Sequence, residues 1–125
     1  MWSNIPHTSS VVPKARAGHT SVQLPTSFDQ LYIFGGYDSS RNLLNDMYKY
    51  NTSTASFQLI PYKNTLPYLE RRWHSCNVIG NSKLAIFGGW NAKGALSDFA
   101  IFDTGKLSEI YNKKMIFLLF LEISS

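Results

Sequence analysis

Short runs in which apolar and polar residues alternate follow one another along the first hundred positions of the chain. Clusters of Pro, Ser, Thr, Asp and Asn separate these runs and are typical of turns. Such alternation, rich in β-branched and aromatic side chains, predicts strands. No stretch has a sustained helical period of apolar residues, so the pattern predicts an all-β chain whose first strands lie at residues 19–24, 30–36, 46–51 and 56–61.

The same pattern occurs twice. Residues 31–36 have the sequence LYIFGG and residues 84–89 have LAIFGG, and the residues on both sides of this segment also recur. A period near 50 residues is typical of β-propeller blades rather than helical solenoids. The second copy predicts strands at residues 74–79, 83–90, 98–103 and 106–112, so each repeat is expected to form one four-stranded antiparallel sheet.

Each copy carries a pattern of several residues. An arginine and a histidine three positions apart open it, an apolar strand ends in Gly-Gly, and an aspartate-led strand and then an aromatic residue follow. This pattern resembles the kelch repeat over residues 2 to about 104. The second copy departs from it after Asp103, where no clear aromatic residue follows the turn. The matching positions are Arg16, His19, Gly35, Gly36, Asp46, Tyr48 and Phe57 in the first copy, and Arg71, His74, Gly88, Gly89 and Asp98 in the second.

These residue types have a structural explanation. A Gly-Gly pair at the end of a buried strand allows positive φ and close passage of backbone past backbone. The arginine and histidine precede the innermost strand, where their side chains can satisfy carbonyls and carboxylates at the end of the ladder. Asp46 and Asp98 are natural partners for Arg16 and Arg71. We therefore expect all of these residues to be structural.

The resemblance implies kelch-type four-stranded blades, about two blades of an incomplete β-propeller. Residues 2–6 precede His19 by the same spacing that separates residues 57–61 from His74, so we expect the chain to open in the last strand of a preceding blade. Propellers usually contain about four to eight blades, so closure needs additional blades or self-association, and a fragment is expected. The predicted segments are a last strand with its link at 1–12, one repeat at 13–66, a second, degenerate repeat at 67–112, and a non-kelch tail at 113–125.

The tail contains seven consecutive apolar residues, 115–121, after two lysines. This run is far shorter than the roughly 20 residues that a membrane-spanning helix needs. Three interpretations stay open: sequence unrelated to the repeats, a strand that seals an exposed edge, or a short amphipathic membrane contact.

The composition narrows the class of protein. The chain has 125 residues, 44% of them hydrophobic, and a net charge of +4, which favours acidic partners without implying nucleic acid. A single cysteine, Cys76, excludes an internal disulfide framework and a cysteine-based zinc finger. The first residues lack the basic and apolar regions of a signal peptide, so a cytoplasmic location is expected.

No pattern of catalytic residues emerges. His19 and His74 occupy equivalent positions one repeat apart and are interpreted as structural, and Cys76 as a small buried hydrophobe. Phosphate-loop, nucleophile-elbow and zinc-protease motifs are not found, nor is the copper site of galactose oxidase, whose blades are similar. We therefore predict no catalytic residue, no metal and no cofactor.

Loops offer a candidate binding face. In a four-stranded antiparallel blade, the loops between strands 2 and 3 share one side with the links between blades; here these are residues 37–44, 90–96, 7–16 and 62–73. They contain seven of the twelve basic residues and several aromatic ones, a composition typical of interface hot spots. Arg16 and Arg71 are set aside as internal. The candidate partner-binding residues are Tyr37, Arg41, Trp90 and Lys93.

The resulting prediction is a protein–protein interaction module or scaffold, of the kind that serves as a substrate adaptor, with an acidic or phosphorylated peptide as partner. Two alternatives remain. The chain could belong to a kelch-type enzyme such as an oxidase, isomerase or specifier protein, or it could be a non-functional truncated product.

Overall fold

The computed structural model describes residues 2–62 and 69–105, together with the backbone of residues 110 and 111. That part of the chain contains strands and no helix, hence none that could cross a membrane. The predicted all-β class is confirmed. The strands are β1 (Thr20–Leu24), β2 (Ser27–Phe34), β3 (Met47–Asn51), β4 (Ser56–Leu59), β5 (Ser75–Ile79), β6 (Lys83–Phe87), β7 (Trp90–Asn91), β8 (Gly94–Ala95), β9 (Phe99–Asp103) and β10 (Ile110–Tyr111).

Two four-stranded antiparallel sheets account for most of the strands. Blade 1 is the sheet β1-β2-β3-β4, and blade 2 is the sheet β5-β6-β9-β10. Within each blade the strands pair in the order in which they occur along the chain, with the hairpin β7-β8 inserted between β6 and β9. The arrangement matches consecutive propeller blades, and these two blades do not close a ring.

The glycine pairs end their strands earlier than the sequence predicted. β2 ends at Phe34 rather than at residue 36, because Gly35 and Gly36 adopt φ of 71° and 93°, which no regular strand accommodates. The equivalent pair after β6 has φ of 66° and 91°, so that strand ends at Phe87 rather than at residue 90. The chain then turns back as β7-β8, inside a segment that was predicted to be an irregular loop.

Residues 2–12 form no strand. The Thr8 amide donates a hydrogen bond of 2.7 Å to the carbonyl of Ala55, and the Ser9 hydroxyl accepts one of 2.9 Å from the amide of Phe57. The segment therefore lies beside the β3–β4 hairpin. Its assignment to a preceding blade, like the division of the chain at residues 12, 66 and 112, stays a prediction. The tail at 113–125 lies outside the described residues.

The hydrophobic core lies between the two blades. Phe34, on β2, is 1% exposed and packs edge-on against His74 with their ring centroids 5.3 Å apart. Ile33 alternates to the opposite face and is only half-buried, as is Leu31, so both contribute less to the core than Phe34 does. The buried core residues are Leu24, Tyr32, Phe34, Met47, Leu69, Leu84, Ile86, Ala100 and Phe102.

Polar contacts join the blades at the link that precedes β5. The amide of Gly36 donates to the carbonyl of Arg71 at 2.8 Å, and the amide of Trp73 donates to the carbonyl of Gly18 at the same distance. These bonds hold the link against the glycine turn of blade 1. They thereby fix the link relative to the loop that follows Gly36.

Candidate functional site

Each repeat contains a buried arginine that binds the aspartate at the start of its third strand. The guanidinium of Arg71 is fully buried and donates to both carboxylate oxygens of Asp98, at 2.7 and 2.8 Å. It also donates to the carbonyl of Gly88 at 3.1 Å. Arg16 pairs with Asp46 in the same bidentate way. Because the donors are used inside the fold, these arginines are joined to their own blades rather than offered to a partner.

His74 lies at the junction of the blades. Its Nε2 atom is 2.8 Å from the hydroxyl oxygen of Thr20, and its Nδ1 atom has no hydrogen-bond partner among the described residues. Burial, reinforced by the charge of Arg71, lowers the pKa of His74 to about 4. Burial also lowers the pKa of His19, with a further contribution from Arg16. The His74 imidazole is therefore neutral at pH 7, which suits its burial between the blades, whereas His19 is exposed.

Cys76 is equally unsuited to nucleophilic chemistry. Its side chain is half-buried on β5, and burial raises the pKa of the thiol to about 11. The thiolate, which is the reactive form, is therefore scarce at neutral pH. Within residues 2–62 and 69–105, no three His, Cys, Asp or Glu side chains converge as metal ligands.

A different group of residues surrounds Arg72, next to the glycine turns. The Arg72 guanidinium lies 4.4 Å from the centroid of the Trp73 ring and 5.3 Å from that of Tyr37. The two rings also meet edge to face, with centroids 6.4 Å apart. The cation is thus held against two aromatic faces, an arrangement stabilised by the ring quadrupoles.

The backbone of Arg72 is fixed as well. It forms an antiparallel bridge with Trp90, in which each amide donates to the other residue's carbonyl at 2.9 to 3.0 Å. Beside it, an open hollow of about 300 Å³ is lined by Arg41, Leu43, Arg72, Asn91 and Ala92. Loops from both repeats therefore meet at a single concave site that two arginine residues line.

The comparison with known families identifies the fold. The sequence model described as the KLHDC2/KLHL20/DRC7 Kelch-repeats domain matches residues 1–114, nearly the whole chain. The arginine–aspartate pairs and the glycine turns found in both blades agree with that match. The chain belongs to the kelch-repeat family.

Individual relatives match it over most of its length. Human host cell factor 2 is 40% identical over 92 residues, 71% of this chain and 11% of that protein. Kelch domain-containing protein 3 of Bos taurus is 39% identical over 89 residues, 70% of this chain and 22% of that protein. An N-(sulfonatooxy)prop-2-enimidothioate sulfolyase of Thlaspi arvense is 28% identical over 84% of this chain and 29% of that protein. The chain thus spans less than a third of each of these relatives, and its family supports a role as a protein-interaction module.

The kelch architecture explains which predicted residues come together. Tyr37 and Trp90 both contact Arg72, one through its ring and the other through its backbone, and Arg41 lines the same hollow. Lys93 lies in the β7–β8 turn, where its amide donates to the Asn91 side chain at 2.9 Å. We call this group the loop surface; it comprises Tyr37, Arg41, Arg72, Trp73, Trp90 and Lys93.

Arg72 and Trp73 were not among the candidate partner-binding residues. Both belonged to the basic and aromatic composition of the loops, but nothing in that composition placed them at its centre. The signal lay in the comparison of the two repeats: the equivalent positions in the first copy are Ala17 and Gly18. The first copy shows that the fold accepts two small residues at these positions. Arg72 and Trp73 are therefore not required by the strand geometry.

Asp38 lies beside the loop surface, and its carboxylate points towards the backbone of its own loop. Asp38 is 8% exposed, and its carboxylate accepts hydrogen bonds from the amides of Ser40 and Asn42, both at 2.9 Å. Those bonds, with the Asn42 amide contributing most, lower the pKa of Asp38. Its remaining charge lies 3.8 Å from the ammonium of Lys14. The ion pair that Asp38 forms is therefore with Lys14 and not with Arg41 or Arg72.

Proposed function

We propose that the loop surface binds an acidic or phosphorylated segment of another protein, so that the chain acts as part of a kelch interaction module or scaffold. The observation that carries the proposal is the convergence of Arg41 and Arg72 on one hollow beside exposed aromatic rings. Arginine together with tyrosine and tryptophan is the combination most enriched at binding hot spots. A cytoplasmic location remains a prediction that accompanies this proposal.

The electrostatics of the site support an anionic partner. In the described part of the chain, neither Arg41 nor Arg72 forms an ion pair, whereas Arg16 and Arg71 have carboxylate partners. Trp73 is 58% exposed and Trp90 48%, so both rings offer apolar area to a partner. A segment that combines carboxylates or phosphates with apolar side chains would complement such a surface.

Fluorescence anisotropy tests the proposal with labelled peptides of one length and apolar content that carry glutamate, glutamine or lysine at the same positions. We expect the glutamate peptide to bind most tightly and to weaken as salt rises from about 50 to 200 mM, because the contacts are partly exposed to solvent. The variant Arg72→Glu should lose this binding. The matched control is Lys83→Glu, which makes the same charge change at the first residue of β6. The loop surface lies beyond the other end of that strand.

The proposal fails if the glutamate and lysine peptides bind equally well, or if Lys83→Glu weakens binding as much as Arg72→Glu does. Either result would mean that net charge, rather than the loop surface, governs association. Unfolding midpoints of both variants show whether a loss of binding reflects a loss of structure.

We further infer that the chain acts by binding rather than by catalysis. A general acid or base works best with a pKa near the pH of the reaction. The pKa of about 4 for His74 and of about 11 for Cys76 lie far from neutrality on opposite sides. One relative is named as a sulfolyase, so the alternative that the chain belongs to an enzyme can be tested with a substrate of that class. Turnover of a sulfonated thiohydroximate by the full chain, abolished by substitution of His74 or Cys76, would overturn the inference.

A further inference from the structure

The hollow between the two repeats has the features of a subsite for one doubly charged group. It is open to solvent, has a volume of about 300 Å³, and is lined by Arg41 and Arg72, which come from two different loops. Its remaining lining residues, Leu43, Asn91 and Ala92, carry no charge. A ligand group in the hollow would therefore lie beside two arginines, without a competing carboxylate in the lining.

Arg72 is positioned without the use of its hydrogen-bond donors. Its guanidinium contacts the rings of Trp73 and Tyr37, and its backbone is bridged to Trp90. None of the described residues accepts a hydrogen bond from its side chain. Stacking and the bridge thus restrict the side chain while its N–H groups stay available, which lowers the entropy cost of binding a ligand.

The backbone at Trp73 adds a second, independent observation. Trp73 adopts φ of 55°, a left-handed conformation that is an outlier for a bulky residue, whereas Gly18 occupies the equivalent position in blade 1 with φ of 68°. Strain of this kind persists where the surrounding structure enforces it and is concentrated at binding sites. Here it places the indole ring under the Arg72 guanidinium.

The chemistry favours phosphate over carboxylate. A phosphorylated side chain carries a charge of about −1.5 to −2 at pH 7 and three strong acceptor oxygens, whereas a carboxylate carries one charge and two oxygens. Two planar guanidinium forks can bind such a group with parallel hydrogen bonds. Resting on the proposed function, and narrowing it, we propose that Arg41 and Arg72 form a subsite for a phosphorylated side chain of the bound segment.

Three peptides of one sequence test the subsite. They carry serine, glutamate or phosphoserine at the central position, with the same acidic and apolar residues on both sides. With the full chain, we expect the phosphoserine peptide to bind at least about tenfold more tightly than the glutamate peptide, as two charge-assisted hydrogen bonds would give. The ³¹P resonance of the phosphoserine should shift on binding.

The variant Arg72→Lys keeps the charge and loses the planar fork. It should reduce the preference for phosphoserine to about threefold or less, while binding of the glutamate peptide changes little. Arg41→Lys should behave in the same way, whereas Lys83→Arg should leave the preference intact. Should Arg72→Lys fail to fold, as its unfolding midpoint would show, the ³¹P shift with the unaltered chain and with Arg41→Lys still decides the question.

The outcomes separate the two proposals. If neither the glutamate nor the phosphoserine peptide binds, the proposed function fails. If both bind equally well, or if Arg72→Lys keeps the full preference, the loop surface binds acidic segments but the phosphate subsite is wrong. Displacement of the phosphopeptide by single-stranded DNA at equal phosphate concentration would likewise overturn the subsite, because it would show a general affinity for polyanions.

Discussion

Trp73 and Gly18 occupy equivalent positions in successive kelch repeats, share a left-handed backbone conformation and touch each other. Their φ angles are 55° and 68°, and the Trp73 amide donates to the Gly18 carbonyl at 2.8 Å. A Cβ atom on Gly18 would lie 3.0 Å from Cδ1 of the indole. The absence of a side chain at Gly18 is therefore what allows the Trp73 ring to lie along the link and support Arg72.

Two substitutions at Trp73 separate the strain of its backbone from the packing of its ring. Trp73→Ala and Trp73→Gly both remove the ring, but only glycine accepts a φ of 55° without penalty. We expect the glycine variant to be more stable than the alanine variant by about 1 kcal/mol, measured by urea unfolding. Equal stability of the two variants would show that the backbone at residue 73 is not strained.

The junction between the blades is predicted to be intolerant of a side chain at Gly35. A Cβ atom there would lie 2.8 Å from Cε1 of His74 and 2.9 Å from the carbonyl oxygen of Arg71. Gly80 is a matched control, since its φ of 61° is similarly left-handed but nothing lies within 4 Å of its added Cβ. We expect Gly80→Ala to cost about 1 kcal/mol of unfolding free energy and Gly35→Ala about 2 to 4 kcal/mol, because crowding adds to the strain.

If chemical denaturation gives the same loss of stability for both alanine variants, the close approach of the blades at Gly35 does not contribute to stability. The comparison is informative because the two positions share the same backbone penalty and differ only in their neighbours.

The pair of the buried Arg71 and the partly exposed Asp98 is expected to matter more than the pair Lys14–Asp38, whose lysine is exposed. Asp98→Ala would leave the fully buried guanidinium of Arg71 without this carboxylate partner, which should cost about 2 to 4 kcal/mol. Lys14 is 72% exposed and lies 3.8 Å from Asp38, so Lys14→Ala should cost less than about 0.5 kcal/mol. Thermal or urea unfolding of the two variants measures the difference, and similar losses would contradict the structural role of the Arg71–Asp98 pair.

The framework was predictable from the sequence because its determinants are local and repeated. The glycine pair that ends β2 recurs at the end of β6, and each arginine has its aspartate at a similar spacing. The arrangement around Arg72 was not predictable, because Tyr37 comes from a loop of blade 1 and Trp73 from the link between blades. Only the folded junction brings them together. The β7–β8 hairpin was missed since its strands have two residues each, too few for an alternating pattern.

Cys76 is predicted to react slowly with thiol reagents. Burial raises the pKa of its thiol to about 11, so less than about one thiol in a hundred is ionised at pH 8. Because the chain has one cysteine, the rate of labelling by a disulfide reagent reports this residue alone. We expect the native protein to react at least about tenfold more slowly than the protein unfolded in urea. Equal rates would mean that the β5 strand does not protect the thiol.

His74 should make the stability of the protein depend on pH on the acidic side of neutrality. Its pKa is about 4 in the folded state and about 6.5 when unfolded, so between these values the unfolded chain binds the proton more strongly. Stability is therefore fully present above pH 6.5 and is lost as the pH falls towards 4, by up to about 1.4 kcal/mol per pH unit. The lowered pKa of His19 acts in the same direction. Urea unfolding across this range should show a weaker pH dependence in His74→Gln than in His7→Gln, which alters an exposed histidine, and an unchanged slope in His74→Gln would assign the effect to other groups.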